Sequence, residues 1–142
     1  MKVLKWLGAL LGIYVVFVLL FEFVYLGYLQ PSFADNGIPM LDITTTTASG
    51  EARVRKLARF QSDNGNLYVS AHHWPRGWYH ELMAEPEVVV AMDGVNAAYV
   101  AVPVAGDEFA QIDAEFPLGF VVCFLMGFPP ERDIARLDPA AG

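Results

Sequence analysis

Residues 43–60, ITTTTASGEARVRKLARF, decide how the rest of the chain is read. The threonines are β-branched and suit a strand, Ala48-Ser49-Gly50-Glu51 suits a tight turn, and residues 52–60 suit a returning strand. The chain is acidic overall (net −7), yet Arg53, Arg55, Lys56 and Arg59 crowd into this second strand. Side chains alternate along a strand, so Arg53, Arg55 and Arg59 share one face. Guanidinium groups beside a Ser-Gly turn suit an anion, because arginine pairs bidentately with phosphate or carboxylate. The same row also fits a solvated strand face whose charges discourage edge pairing.

With 142 residues there is room for one domain with a modest core. Beyond Gln30 the chain holds 7 basic and 15 acidic residues. Nucleic acid is therefore not an expected partner, since neutralising phosphates takes a broad basic surface. The lone Cys123 rules out an internal disulfide and a cysteine-rich metal site, and it sits in an apolar run as a small hydrophobe.

Residues 6–29, WLGALLGIYVVFVLLFEFVYLGYL, are apolar apart from Glu22. As a helix they extend about 36 Å, enough for a bilayer core of about 30 Å. The run is longer than a signal-peptide core and no Ala-x-Ala pattern follows it, so it reads as an uncleaved single-pass anchor. Lys2 and Lys5 precede it and no Lys or Arg follows until Arg53, which predicts a cytoplasmic N-terminus. Glu22 lies near the far end, within reach of the interface.

Ser62-Asp63-Asn64-Gly65-Asn66 marks a hairpin, and LYVSA from Leu67 is its returning strand. HHWPRG follows as a loop, and residues 78–84 read as a short helix ended by Pro86. Residues 88–92 and 97–104 form a second hairpin around Asp93-Gly94. Phe109, Ile112 and Phe116 recur at helical spacing among acids. FPLGFVVCFLMGF, residues 116–128, is too short to span and reads as a core or interfacial helix. Residues 132–137 suggest a closing strand. Closely spaced hairpins with short helices predict a mainly β (α+β) chain and a small antiparallel barrel.

Familiar chemical signatures are missing. There is no HExxH, no G-x-S-x-G, no P-loop and no G-x-G-x-x-G. His72 and His73 are adjacent and diverge in an extended segment, so no metal site is expected. Tyr68, Trp74, Trp78 and Tyr79 fit barrel core, and they also fit a surface for stacking on a planar ligand.

The order TTT-x-SG-x-x-R-x-x-x-L, a hairpin, YVSA, a loop and then WYHELMAEPEVVV resembles the deazaflavin-dependent nitroreductase family. The similarity runs from Ile43 to about Met92, with a weaker stretch from Arg132 to Pro139. It implies a split β-barrel of the FMN-binding type, preceded here by the transmembrane helix. It further implies a reduced deazaflavin (coenzyme F-420) that passes hydride to quinones or nitro compounds. On that resemblance Ser49, Gly50 and Arg53 hold the cofactor's anionic tail and Trp78 packs beside its ring system; Arg55 and Lys56, the latter standing where the family has proline, are added from the charge pattern as further groups for the tail. His72, His73 and Tyr79 are candidates to polarise the acceptor oxygen. The family usually carries Gly-Arg/Lys-Lys before its Ser-Gly, where this chain has Thr46-Thr47-Ala48. Glu81 stands where the family's W-x-x-N-L motif has Asn, and Ala71-His72-His73 replaces a Lys-Gly-Gly loop.

The expected organisation is an anchor over 1–30, a linker over 31–42, the barrel over 43–138 and a tail over 139–142. The expected function is a membrane-anchored oxidoreductase acting on a quinone-like acceptor. The alternatives are the same barrel using FMN or haem, and a non-catalytic tethered scaffold. Membrane lipid and a lipophilic quinone are the expected partners, with residues 116–128 lying in the interface or lining the quinone's path.

Overall fold

Alternation along the threonine strand sets the architecture. In β1 (Met40–Thr46) every second residue is buried, so Leu41, Ile43 and Thr45 point inward while their neighbours face outward. The computed structural model describes residues 1–26, 28, 37–72, 74 and 76–141; positions 31–36 of the expected linker, and His73, lie outside the described residues. β1 begins at Met40, inside the stretch read as linker, because the apolar Leu41 already belongs to the core.

Thr47 to Glu51 turn the chain back, with the Gly50 amide donating to the Thr47 carbonyl at 2.8 Å. Gly50 has φ +84, a backbone conformation that costs glycine little. β2 (Ala52–Gln61), β3 (Leu67–Ala71), β4 (Glu87–Met92), β5 (Val95–Pro103) and β6 (Asp133–Pro139) complete an antiparallel barrel closed in the order β1-β2-β3-β6-β5-β4. The expected closing strand is β6, which takes up Pro139 from the expected tail and pairs with both β3 and β5.

The closure is uneven. β1 pairs with residues 52–58 of β2, whereas the β2–β3 ladder covers only Arg59↔Val69, Phe60↔Tyr68 and Gln61↔Leu67. Residues 52–58 thus bond to one strand alone, and the barrel is split there.

Helices cover what the strands leave open. α2 (Gly77–Ala84) plugs one barrel end against β1 and β5 with Trp78, Tyr79 and Leu82 buried. α3 (Gly106–Glu115) lies outside the barrel, and its Phe109 and Ile112, with Phe116 beyond, pack on Phe60, Tyr68 and Ile134. β3 is therefore buried along its whole length, with Leu67, Val69 and Ala71 inside and Tyr68 under α3. The Tyr68 hydroxyl donates to Glu108 at 2.9 Å, and Arg136 pairs with the same carboxylate at 2.8 Å. Arg132, 5% exposed, donates to Asp113 and to the Phe116 carbonyl and ties β6 to the end of α3.

α1 (Lys2–Leu20) continues into a wider π turn (Phe21–Leu26), and Lys2–Tyr25 is long and apolar enough to cross a membrane. α4 (Phe120–Leu125) is the helical part of the second apolar run, and it buries no residue. Its core reading therefore does not hold.

Leu82 is fully buried and holds the plug in place. Leu82→Ala is expected to lower stability by about 2–5 kcal/mol, read as a lower urea midpoint with an unchanged slope.

Candidate functional site at the split end of the barrel

β1 ends, β2 begins and β3 ends at the same rim, so the turn at 47–51, the half of β2 bonded to β1 alone and the segment after β3 meet there. Strand register places Arg53 opposite Thr45 and Arg55 opposite Ile43, both on the inward face. The six steps along the strand from Arg53 to Arg59 cover about 20 Å. Arg59 accordingly serves the other end of the barrel, where it pairs with Asp93 of the β4–β5 turn at 3.0 Å.

The two arginines at the rim have different surroundings. Arg53 lies 3.7 Å from Glu81 of α2 and 3.8 Å from Glu51, and Glu81 also accepts from the Thr45 hydroxyl at 3.1 Å. The charge that Glu81 brings is thus met inside the chain. Arg55 is half-buried, and its Nε is shut off from solvent with no acceptor among the described residues. A buried guanidinium N–H left unsatisfied costs free energy that an anionic ligand at the rim would recover. The donor set at this position fits a phosphate or carboxylate.

Ser49 and Gly50 sit in the rim turn, with the Ser49 hydroxyl 2.8 Å from that of Thr47. Lys56 does not join them. Alternation turns it to the outer face of β2, opposite Asp42 and near Ala91 to Gly94. Trp78 is buried at 7% exposure and packs edge-on to Tyr79, with ring centroids 6.0 Å apart. His72 is half-buried just past β3. Among the described residues no three His, Cys, Asp or Glu side chains are grouped to hold a metal ion.

Tyr79 is buried near Arg76 and Asp133, and Arg76 donates to Asp133 at 2.8 Å. Burial, and then the Asp133 charge, push the Tyr79 phenol above its ordinary value of 10.0 against a smaller opposing effect of Arg76. The hydroxyl is therefore protonated at neutral pH and able to donate a hydrogen bond.

Thr45, Glu81, Arg76 and Asp133 were not among the residues singled out for the site. Thr45 was within reach of sequence reasoning, since a tight turn at 47–51 implies its pairing with Arg53. The others arrive through contacts spanning 28 to 57 positions, and no local signal carries those.

The family model for F420H(2)-dependent quinone reductase matches residues 32–116. The chain belongs to that family. Among solved structures it is similar to an F420-H2 dependent reductase, FDR-A, at 21% identity and TM-score 0.54, covering 70% of this chain and 94% of that one. It is also similar to HutZ, the heme storage protein from Vibrio cholerae, at 19% identity and TM-score 0.51, covering 79% and 90% of the two chains. A FAD-binding protein from Mesorhizobium loti matches at 12% identity and TM-score 0.52, covering 80% and 87%. At these identities the structural likenesses establish the split-barrel fold, and the family match supports a deazaflavin-dependent reductase. No curated protein matches the chain in sequence.

The folded-state phenol of Tyr79 lies above its unfolded value, so its contribution to stability is complete below pH 10.0 and is lost as pH rises through the folded value. In a phenolate absorbance titration, Tyr79→Phe is expected to remove a late-ionising tyrosine. Asp133→Asn is expected to shift that ionisation downward.

Proposed function

We propose that this chain is a membrane-anchored reductase that uses reduced deazaflavin, F420H2, to reduce a quinone or nitro-type acceptor. The observation that carries this reading is the buried, unsatisfied Nε of Arg55, beside Arg53 at the split of a barrel belonging to this family. Arg55 and Arg53 would hold the cofactor's anionic tail, with the Ser49-Gly50 turn beneath it, and Trp78 would stiffen the wall behind the ring system. The bound cofactor supplies the hydride, which is chemistry no side chain of the protein provides.

The protein's own part is binding, orientation and proton placement. Reducing a quinone to a hydroquinone takes a hydride and one proton, so a donor at the acceptor oxygen assists the transfer. Tyr79, kept protonated by its surroundings, and His72 lie at the split end and suit that role. His73, the third candidate, lies outside the described residues. Arg53 is available to the cofactor because its ion pair with Glu81 is long and part-exposed, worth about 0–1 kcal/mol. An incoming phosphate competes readily with an interaction of that size. The apolar helix Lys2–Tyr25 supports the anchor, which would keep the barrel near a lipophilic acceptor.

Titration of the full chain in detergent with oxidised deazaflavin, FMN and haem, followed by tryptophan quenching, tests the assignment. Deazaflavin is expected to bind, and Arg55→Ala to weaken it roughly tenfold or more, while Val54→Ala on the exposed face leaves it unchanged. Binding of FMN or haem in its place, or of none of the three by a folded chain, would overturn the reading.

Glu81→Gln keeps the acceptor for Thr45 but removes the charge facing Arg53. The deazaflavin Kd is expected to fall roughly two- to fivefold in that variant, measured in the same titration.

A further inference from the structure

α4 and its flanks expose a run of large apolar side chains outside α1. Phe120 is 73% exposed, Val121 67%, Phe124 43% and Phe128 50%. Residues 116–128 contain no charged side chain. A contiguous apolar patch of this kind on a water-facing domain marks an interaction surface. The ring centroids of Phe120, Phe124 and Phe128 lie 5.7 to 6.5 Å apart, so the exposed groups form one cluster.

The segment is built against α1. The Tyr14 and Phe124 rings are 5.0 Å apart, and the Tyr14 hydroxyl donates to the Phe124 carbonyl at 2.6 Å. Gly127 has φ +73, and a Cβ there would sit 2.8 Å from a methyl of Val18. A side chain there would press on Val18 from a left-handed backbone conformation, so glycine suits the contact.

Depth follows from where the contacts fall. Tyr14 lies eleven residues before Tyr25, the end of the apolar helix, or about 16 Å along its axis. That is roughly half the thickness of a bilayer core of about 30 Å. A helix fixed to α1 at Tyr14 and Val18 is carried to that depth with it.

The backbone is prepared for such surroundings. Apolar lipid offers no hydrogen bonds, so polar backbone groups placed there need internal partners. At the C-terminal end of α4 the Val122, Cys123 and Phe124 carbonyls accept from the amides of Met126, Phe128 and Gly127. Phe124 also accepts from Tyr14, and the Gly127 carbonyl accepts from the Trp74 indole at 3.2 Å. Glu22, buried where α1 meets the domain, accepts from the Trp74 amide at 3.4 Å. Both α1 and α4 lie outside residues 32–116, the part that matches the family.

We infer that residues 120–128 lie among the acyl chains of the bilayer beside α1, forming a short second membrane-embedded element. The inference rests on α1 lying in the membrane. α4 supplies Phe120, Val121, Phe124 and Phe128 as the lipid-facing surface, and Gly127 with Tyr14 holds that surface at depth. The barrel is thereby held by two elements, which restricts its rotation about the anchor and keeps one side toward the lipid.

The test uses the full chain with Cys123→Ser, reconstituted into phosphatidylcholine vesicles. An environment-sensitive fluorophore is attached at Phe120→Cys, at Ile13→Cys on α1, or at Val54→Cys on the barrel; all three positions are exposed, so the fold tolerates the change. Quenching is measured with nitroxides carried on the acyl chains. The labels at 120 and 13 are expected to lose most of their fluorescence, while the label at 54 keeps it. Quenching at 13 but not at 120 would overturn the embedding of α4 and leave the anchor standing. A blue-shifted label at 120 that lipid nitroxides do not reach would mean a protein partner covers it, which also overturns the inference. Absence of quenching at 13 would remove the anchor itself, and the inference with it.

Discussion

The short β2–β3 ladder is the constraint on which the rest depends. Three residue pairs join the two strands, and the half of β2 that carries Arg53 and Arg55 is left bonded to β1 alone. A fully zipped barrel would enclose those guanidinium groups in the apolar interior, at a cost of several kcal/mol each without partners. Splitting the wall leaves them at a rim, half in protein and half in reach of a ligand. α2 then closes the same end, so the opening is lateral.

Charge in the domain is arranged to leave the two rim arginines less tightly paired than the others. Arg59, Arg76, Arg132 and Arg136 each pair with a carboxylate within 3.0 Å, and these pairs tie turns, α3 and β6 to the barrel. Arg53 is held more loosely by Glu81 and Glu51. Arg55 has no such partner among the described residues. In an acidic chain such a pair of inward cations attracts anions selectively, because the surrounding carboxylates repel them elsewhere. The geometry is that of a local grip on a charged tail rather than a broad electrostatic surface.

The apolar segments follow a different logic. The barrel and α3 bury their own hydrophobic faces, with Ile43, Tyr68, Leu82, Ile112 and Ile134 nearly or wholly removed from solvent. α1 and α4 leave theirs outward and touch each other through Tyr14, Val18, Phe124 and Gly127. Trp74 bridges these two regions, since it bonds to both Glu22 and Gly127 and follows the segment that carries His72.

Much of the fold was legible in the sequence because its signals are local. The alternation in β1, the turn around Gly50, the Asn64-Gly65 hairpin and the 109-112-116 spacing of α3 each report a backbone state within a few residues, and each element formed where its signal lies. The family pattern was legible for the same reason, since its motifs are short and continuous. The site was legible only in part. Parity along β2 put Arg53 and Arg55 on one face and Lys56 on the other, but parity does not say where a strand loses its partner. That Arg59 serves the far rim, that Glu81 faces Arg53, and that Asp133 and Arg76 surround Tyr79 are consequences of barrel closure and of α2 folding back over the rim. Sequence patterns determine which face a residue takes. Which distant residue meets it there is decided by the free energy of packing the whole barrel, and only the tertiary structure carries that information.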